Sequence, residues 1–166
     1  MKHLSKIAML VVVLGISACT NAGRFDGAGA GGAGGAGQAA AANPTSPEYF
    51  RQTVGDRVWF EVDQSTLSEA ARATLVAQAR WLMDNPEFVA IVEGHADERG
   101  TREYNLALGA RRASAVKEFL VSQGVAGSRL RTVSYGKERP IEICSDESCY
   151  SKNRRAVTVI TAGAGS

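Results

Sequence analysis

The chain has 166 residues, a length that suits one domain with terminal extensions. It carries 19 Lys and Arg residues against 17 Asp and Glu, a formal net charge of +2. Lys2 and Lys6 are two of those 19 basic residues, so a chain that loses its N-terminal segment keeps 17, equal to the 17 acidic residues. A formally neutral chain argues against nucleic acid as a partner, because neutralising a phosphate backbone requires a basic surface.

Residues 1–18 have the pattern of a signal peptide. Lys2 and Lys6 flank the start of an apolar run over residues 7–16, which is too short to anchor stably across a bilayer. The run Leu-Gly-Ile-Ser-Ala-Cys at residues 14–19 resembles a bacterial lipobox. That resemblance implies that Cys19 becomes an acylated N-terminal residue, anchored by several chains. The alternative is an ordinary secretory signal with an incidental cysteine. Thr20, where aspartate would favour inner-membrane retention, favours the outer membrane.

Residues 19–46 are predicted to form the lipidated N-terminus and a flexible linker. The Gly/Ala repeats in this stretch offer little apolar surface to offset the entropy of ordering the chain. Pro44 and Pro47 close it. The globular domain is therefore predicted to occupy residues 47–166.

Within the domain, hydrophobic periodicity predicts four strands and two helices. The strands are expected at residues 57–62, 88–92, 130–135 and 154–161, and the helices at about 67–83 and 102–123. Ser65 or Thr66 is expected to cap the first helix. The order β-α-β-α-β-β indicates an α/β (α+β) sandwich, with helices packed on one face of a small mixed sheet. A right-handed crossover would make the first two strands parallel, so the loops at Asp63 and Asp97 would be neighbours.

Residues 92–116 hold the side chains best placed for chemistry. Asp97 follows an apolar strand, and Asn105, Leu108 and Arg112 share one stripe of the following helix. An acid and a guanidinium beside an apolar side chain suit a zwitterion. Asp97 would take the ammonium, and Arg112 would hold the carboxylate through two parallel hydrogen bonds. The alternative is an internal salt bridge between Asp97 and Arg112.

Several separated motifs occur in an order that identifies a family. They are Gly-His-Ala-Asp-Glu-Arg-Gly-Thr at 94–101, Tyr-Asn-Leu at 104–106, Leu-Gly-Ala-Arg-Arg-Ala at 108–113, Val-Ser-Tyr-Gly-Lys-Glu at 133–138 and Ser-Lys-Asn-Arg-Arg-Ala-Val at 151–157. Together they resemble the OmpA-like peptidoglycan-binding domain, and most of all the peptidoglycan-associated lipoprotein group. The resemblance implies the OmpA C-terminal fold over about the last two-thirds of the chain.

The resemblance also implies a ligand. In OmpA-like domains the matching aspartate and arginine hold the zwitterionic end of meso-diaminopimelate in the peptidoglycan stem peptide. Carried to this sequence, Asp97 takes the ammonium and Arg112 the carboxylate, Asn105 hydrogen-bonds nearby, and Leu108 forms an apolar wall.

Phe60 and Asp63 resemble the first-strand motif that lines the same groove, although the sequence reads Phe-Glu-Val-Asp where two aspartates are common. Gly109 replaces a serine frequent in the wider family. The group's role implies a non-catalytic lipoprotein in the outer membrane of a Gram-negative bacterium, with its domain in the periplasm. It would bind peptidoglycan, act in the Tol–Pal system during cell division, and contact TolB. No cofactor is implied.

Two other classes of function remain as alternatives. A peptidoglycan-cleaving enzyme could use Asp97 and Glu98, but adjacent carboxylates on one loop rarely both face a scissile bond. No nucleophile–histidine pairing or zinc motif is identifiable. A lipid-anchored structural protein with an internal Asp97–Arg112 contact is the other alternative. It predicts that removing Arg112 costs stability without affecting wall binding.

His95 and two cysteines are further candidates. His95 beside Asp97 suggests a metal, but the sequence places no cluster of ligands around it, which favours a structural role. Cys144 and Cys149 flank Ser-Asp-Glu-Ser, and in an exported protein this pair favours a disulfide. Reduced thiols or a metal pair are the alternatives.

Overall fold

The computed structural model describes residues 43–163. The predicted signal peptide, Cys19 and most of the linker lie outside the described residues. The described chain contains helix α1 (Pro47–Tyr49, continued by a π-helical turn, Phe50–Gly55), β1 (Arg57–Trp59), α2 (Glu69–Asp84), β2 (Phe88–His95), α3 (Arg102–Ser122), a 3-10 turn (Gly127–Arg129), β3 (Leu130–Gly136), α4 (Glu147–Asn153) and β4 (Arg155–Ala162). The predicted α+β class is confirmed.

The four strands form one mixed sheet in the order β1-β4-β2-β3. β2 and β3 are parallel, and β4 runs antiparallel to both β1 and β2. β1 and β2 therefore point the same way across the intervening β4. Their C-terminal ends lie at one edge of the sheet, as the predicted crossover requires.

Helices α2 and α3 supply one side of the core. Ala71, Leu75 and Leu82 lie on the buried stripe of α2, as its periodicity predicts. Gln78 interrupts that stripe without leaving an unpaired group. Its Nε2 donates to Gly55 O at 2.6 Å, and its Oε1 accepts from the Thr158 hydroxyl at 2.8 Å.

β1 and α2 both differ from their predicted limits. β1 ends at Trp59, three residues before the predicted end, because the chain turns away after Phe60 and Asp63 adopts a positive φ of 57°. α2 starts at Glu69, and its cap is Ser68, whose hydroxyl accepts from Ala71 N at 3.1 Å. The predicted caps at Ser65 and Thr66 are therefore wrong.

β2 continues through Gly94 to His95, whereas the apolar run predicts an end at Val92. Gly94 pairs with Ser134 on one side and Ala156 on the other, so the strand stays inside the sheet. Gly94 instead allows α3 to pack closely on β2. A Cβ added to Gly109 of α3 would lie 2.8 Å from Gly94 O. Helix and strand are therefore in backbone contact at these two glycines.

Two short helices were not predicted. Ser46 caps α1, and the Trp81 indole donates to Pro44 O at 2.7 Å, fixing the entry to the domain. α4 lies in the stretch expected to be a loop, and the Asp146 carboxylate caps it by accepting from Ser148 N at 2.8 Å. Both helices are too short for a periodic apolar stripe, so their caps were the only available signal.

Candidate functional site

A pocket of about 260 Å³ opens at the edge of the sheet where β1 and β2 end. Four of the six predicted ligand residues line it: Asp63, Asp97, Asn105 and Leu108. The other lining residues are Val62, Arg99, Gly100 and Tyr104. Side chains that are distant in sequence therefore meet because the β1 and β2 loops share one edge with the start of α3.

Asp97 is buried, and two arginines hold its carboxylate. Arg99 donates from its backbone N to Oδ1 at 3.1 Å and from Nη2 to Oδ2 at 2.8 Å. Arg154 donates from Nη1 to Oδ2 at 3.4 Å. Burial acts to raise the pKa of Asp97, but these hydrogen bonds and charges outweigh burial and keep that pKa below its ordinary value. Asp97 is therefore an anion at neutral pH.

Asn105 organises the loop rather than projecting freely into the pocket. It is almost fully buried, and its Nδ2 donates to Arg99 O at 2.7 Å. The helix start beside it is capped by Thr101, whose hydroxyl accepts from Tyr104 N at 3.2 Å. These two contacts fix the chain between Arg99 and the first turn of α3. Leu108, one turn along α3, gives the pocket its apolar wall.

Arg112 lies behind the pocket and is fully buried. Its guanidinium donates to three backbone carbonyls: Gln64 O at 2.8 Å, His95 O at 2.8 Å and Glu61 O at 3.1 Å. The Phe60 ring lies 5.2 Å from the guanidinium carbon. Burial lowers the pKa of Arg112 to about 10, so it is still a cation at neutral pH.

The carbonyls bound by Arg112 belong to both loops of the site. Glu61 and Gln64 bracket the turn after β1, and His95 ends β2. Arg112 therefore joins the two loops to α3. A guanidinium has five N–H donors, so three carbonyls leave two donors for a ligand. Neither Arg112 nor Phe60 is among the residues that line the pocket.

Tyr104 and Asp63 meet across the mouth of the pocket. The Tyr104 hydroxyl donates to the Asp63 carboxylate, and that bond raises the pKa of Tyr104 above its ordinary value. Both side chains are exposed. The contact joins the loop after β1 to the first turn of α3 and leaves both groups available to a ligand.

Within residues 43–163, the ion pairs of Asp97 are with Arg99 and Arg154, and none is with Arg112. The sequence reasoning missed both partners. Arg99 had a recognisable signal, since an aspartate often binds the backbone two residues on. Arg154 had no such signal, because it reaches the site from the residue between α4 and β4, and β4 lies between β1 and β2.

His95 is buried and neutral. Burial, followed by the charges of Arg155 and Arg139, lowers its pKa to about 4. Its ring lies against Tyr135, with centroids 5.5 Å apart, and neither ring nitrogen has a hydrogen-bond partner among the described residues. His95 contributes its carbonyl to Arg112, which agrees with the structural role predicted for it.

Cys144 and Cys149 form a disulfide, with Cα atoms 5.7 Å apart. With Asp146 they are also the one group of candidate metal ligands within residues 43–163. Sulfurs joined in a disulfide are not thiolates, so the oxidised loop is not a metal site.

Comparisons with known proteins first define the class. Residues 59–154 match the OmpA family. A peptidoglycan-associated lipoprotein from Mesorhizobium japonicum is 59% identical over 126 residues, covering 76% of this chain and 74% of the relative. A protein of the same name from Rhizobium meliloti is 52% identical over 159 residues, covering 95% and 87%. The chain belongs to the OmpA family and, within it, to the peptidoglycan-associated lipoproteins.

Solved structures agree with the fold. The peptidoglycan-associated lipoprotein from Burkholderia pseudomallei has a TM-score of 0.65 and 36% identity, covering 73% of this chain and 98% of that one. The C-terminal domain of Helicobacter pylori MotB has a TM-score of 0.61 at 22% identity, covering 66% and 86%. The second comparison supports the fold alone. Over the described residues, the helices are too short or too polar to cross a membrane.

Proposed function

We propose that this chain is a non-catalytic outer-membrane lipoprotein that binds peptidoglycan through the meso-diaminopimelate of its stem peptide. One observation carries the proposal. The ionised, buried Asp97 faces a small pocket with an apolar wall, and Arg112, a cation at neutral pH, lies behind that pocket. An anion and a separate cation beside apolar surface match the ammonium and carboxylate at the end of diaminopimelate.

The ammonium of the ligand binds Asp97, and this requires Arg99 to give up its side-chain contact. The Arg99 side chain is 45% exposed, so it can move into solvent at little cost. Its backbone N–H would still donate to Asp97 Oδ1. Arg154, which is buried, would also remain beside the carboxylate. Exchange of one exposed cation for another keeps the Asp97 charge compensated throughout binding.

The carboxylate of the ligand binds the two remaining N–H donors of Arg112. Arg112 has no exposed surface in the unliganded domain, so side chains between it and the pocket must move when the ligand binds. The three carbonyls that Arg112 already holds keep its guanidinium plane fixed, so little side-chain entropy is lost when a ligand arrives. Leu108 packs against the methylene chain of the ligand. Asn105 holds the loop, Asp63 completes the side formed by the segment after β1, and Phe60 packs against the Arg112 guanidinium. The site binds its ligand non-covalently and catalyses no reaction.

The rest of the chain would deliver this domain to the wall. Acyl chains on Cys19 would anchor it in the outer membrane, and residues 19–46 would tether the periplasmic domain. A tether confines the domain near the wall and raises its effective concentration there, so modest affinity per site is enough. Membership of the peptidoglycan-associated lipoproteins supports a place in the Tol–Pal system, with TolB as a partner during cell division.

Co-sedimentation with purified peptidoglycan tests the proposal. The domain, residues 43–166, should pellet with sacculi that contain meso-diaminopimelate. Asp97→Asn should abolish pelleting, because it removes the charge that binds the ammonium while keeping the shape of the side chain. Asp84→Asn is the matched control: it makes the same change at an exposed aspartate at the end of α2, before β2 starts at the opposite edge of the sheet. Equal pelleting of the two variants would contradict the proposed site.

A further inference from the structure

The disulfide loop at residues 144–149 contacts the loop that carries Asp97. Ser145 donates from its hydroxyl to Glu98 Oε1 at 2.9 Å, and the Tyr150 hydroxyl donates to the same oxygen at 3.0 Å. Glu98 directly follows Asp97. Ser145 and the first turn of α4 therefore hold the side chain of the residue next to the proposed ligand carboxylate.

The same turn also holds both arginines that reach Asp97. Glu147 accepts a hydrogen bond from Arg154 and lies 3.8 Å from Arg99 Nη2. The Arg99 guanidinium lies over the Tyr150 ring, 4.6 Å from its centroid. Each cation that contacts Asp97 thus has a second contact on α4. The geometry around Asp97 depends on where that helix begins.

The disulfide and the Asp146 cap fix that beginning from within the α4 segment itself. α4 has 7 residues, and a helix of this length is not stable through its own hydrogen bonds. Its last residue is secured, since Asn153 Oδ1 accepts from Ile141 N at 2.7 Å and Nδ2 donates to Glu142 O at 2.8 Å. Its first turn is held by the Asp146 cap and by the bond from Cys149 to Cys144.

We infer that the Cys144–Cys149 disulfide positions the ligand site: it fixes the first turn of α4, and through Glu147 and Tyr150 it fixes Arg99, Arg154 and the Asp97 loop. The inference rests on the proposed function and extends it to Cys144 and Cys149, which do not line the pocket. A disulfide that only stabilised this segment would change the free energy of unfolding and leave ligand affinity unchanged. A positioning element also changes how tightly the intact fold holds its ligand and how strongly Asp97 is ionised.

The test measures ligand affinity with the disulfide intact, reduced and removed. Residues 43–166 are suitable, because the solved Burkholderia relative consists almost wholly of this domain. Cys19 lies outside that range, so of the three cysteines a dithiol reductant meets only Cys144 and Cys149. A stem peptide that contains meso-diaminopimelate is titrated by calorimetry into the oxidised protein, the reduced protein and Cys144→Ser/Cys149→Ser, well below the melting temperature of each.

Reduction and the double variant should each raise the dissociation constant about tenfold, a change typical of coupling through a displaced element. By NMR, the pKa of Asp97 should move up towards its ordinary value as Arg99 and Arg154 loosen. Glu147→Gln, with the disulfide intact, should reproduce part of the loss without opening the loop. Glu142→Gln is the matched control, since Glu142 pairs with Lys152 near the C-terminal end of α4.

Unchanged affinity and an unchanged Asp97 pKa in the reduced protein would overturn the inference and leave the proposed function standing. Failure of the oxidised wild-type protein to bind the peptide would overturn the proposed function itself. If the reduced protein unfolds, Glu147→Gln decides: wild-type affinity in that variant contradicts the positioning role.

Discussion

Arg112 is a charged side chain with no exposed surface, held by three carbonyls from two loops. Its motif identifies it as a ligand residue, and its contacts also make it a structural one. The two roles are compatible, because a guanidinium has more donors than the fold uses. They do mean that loss of binding on removing Arg112 cannot by itself assign the carboxylate site.

Arg112→Ala should lower the free energy of unfolding by about 3 kcal/mol, since it removes three hydrogen bonds, one of them to the carbonyl of the buried His95, and opens a void. Urea denaturation checks this. Arg111→Ala is the control: Arg111 is exposed on the same helix, so the change should stay within about 0.5 kcal/mol. Similar stability of the two variants would show that the hydrogen bonds of Arg112 to the carbonyls contribute little to the free energy of unfolding.

His95 should make stability depend on pH. Its pKa in the folded protein is about 4, below the ordinary value of 6.5, so between these values the unfolded chain binds a proton that the folded domain does not. Stability should therefore fall by about 3 kcal/mol as the pH drops from 6.5 to 4, and the contribution of His95 should level off within about one pH unit below that.

Denaturation at a series of pH values measures this slope, and His95→Gln should flatten it. His95 is the single histidine of residues 43–166, so its NMR titration can be read directly. A titration midpoint near 6.5 in the folded protein would contradict burial of the neutral ring.

At the scale of elements, the contact between α3 and β2 sets the depth of the pocket. Gly94 and Gly109 let the helix backbone approach the strand, and a Cβ on Gly109 would lie 2.8 Å from Gly94 O. Leu108 and Arg112 stand on either side of that contact along the helix. Pushing α3 outward would therefore move both the apolar wall and the cation away from Asp97.

Gly109→Ala should destabilise the domain by about 2 kcal/mol through overpacking against backbone. It should also weaken binding of the stem peptide. Gly127→Ala is the matched control, because a Cβ there would lie 3.7 Å from the Val121 side chain, an ordinary contact. Thermal melts and calorimetry on both variants check the prediction. Wild-type stability in Gly109→Ala would mean that α3 can shift without cost.

Periodicity predicted the long elements of this fold because α2, α3 and the inner strands each bury one face over many residues. Periodicity did not predict the end of β1 or the presence of α4, because a few specific contacts determine both. β1 is short because the chain turns so that Glu61 and Gln64 present carbonyls to Arg112. α4 exists because of a cap and a disulfide. The contact between Arg154 and Asp97 could not be predicted from the sequence, because it depends on β4 lying between β1 and β2 in the sheet.

At the scale of the whole molecule, the order β1-β4-β2-β3 brings the proposed site together. The loops after β1 and β2 lie side by side at one edge, and Arg154 enters between them at the start of β4. Asp97 thereby has contacts from its own loop and from the segment that joins α4 to β4. The chain segment before Pro47 joins the domain through Trp81, so the proposed tether and the proposed pocket connect to different elements.

The most direct test of the account is a comparison of two stem peptides by calorimetry. One carries meso-diaminopimelate, and the other carries L-lysine, which has the same ammonium but lacks the terminal carboxylate. The domain should bind the first and bind the second at least about tenfold more weakly, because the charge-assisted bonds to Arg112 are lost. Equal affinity for the two peptides would contradict recognition of a zwitterion between Asp97 and Arg112.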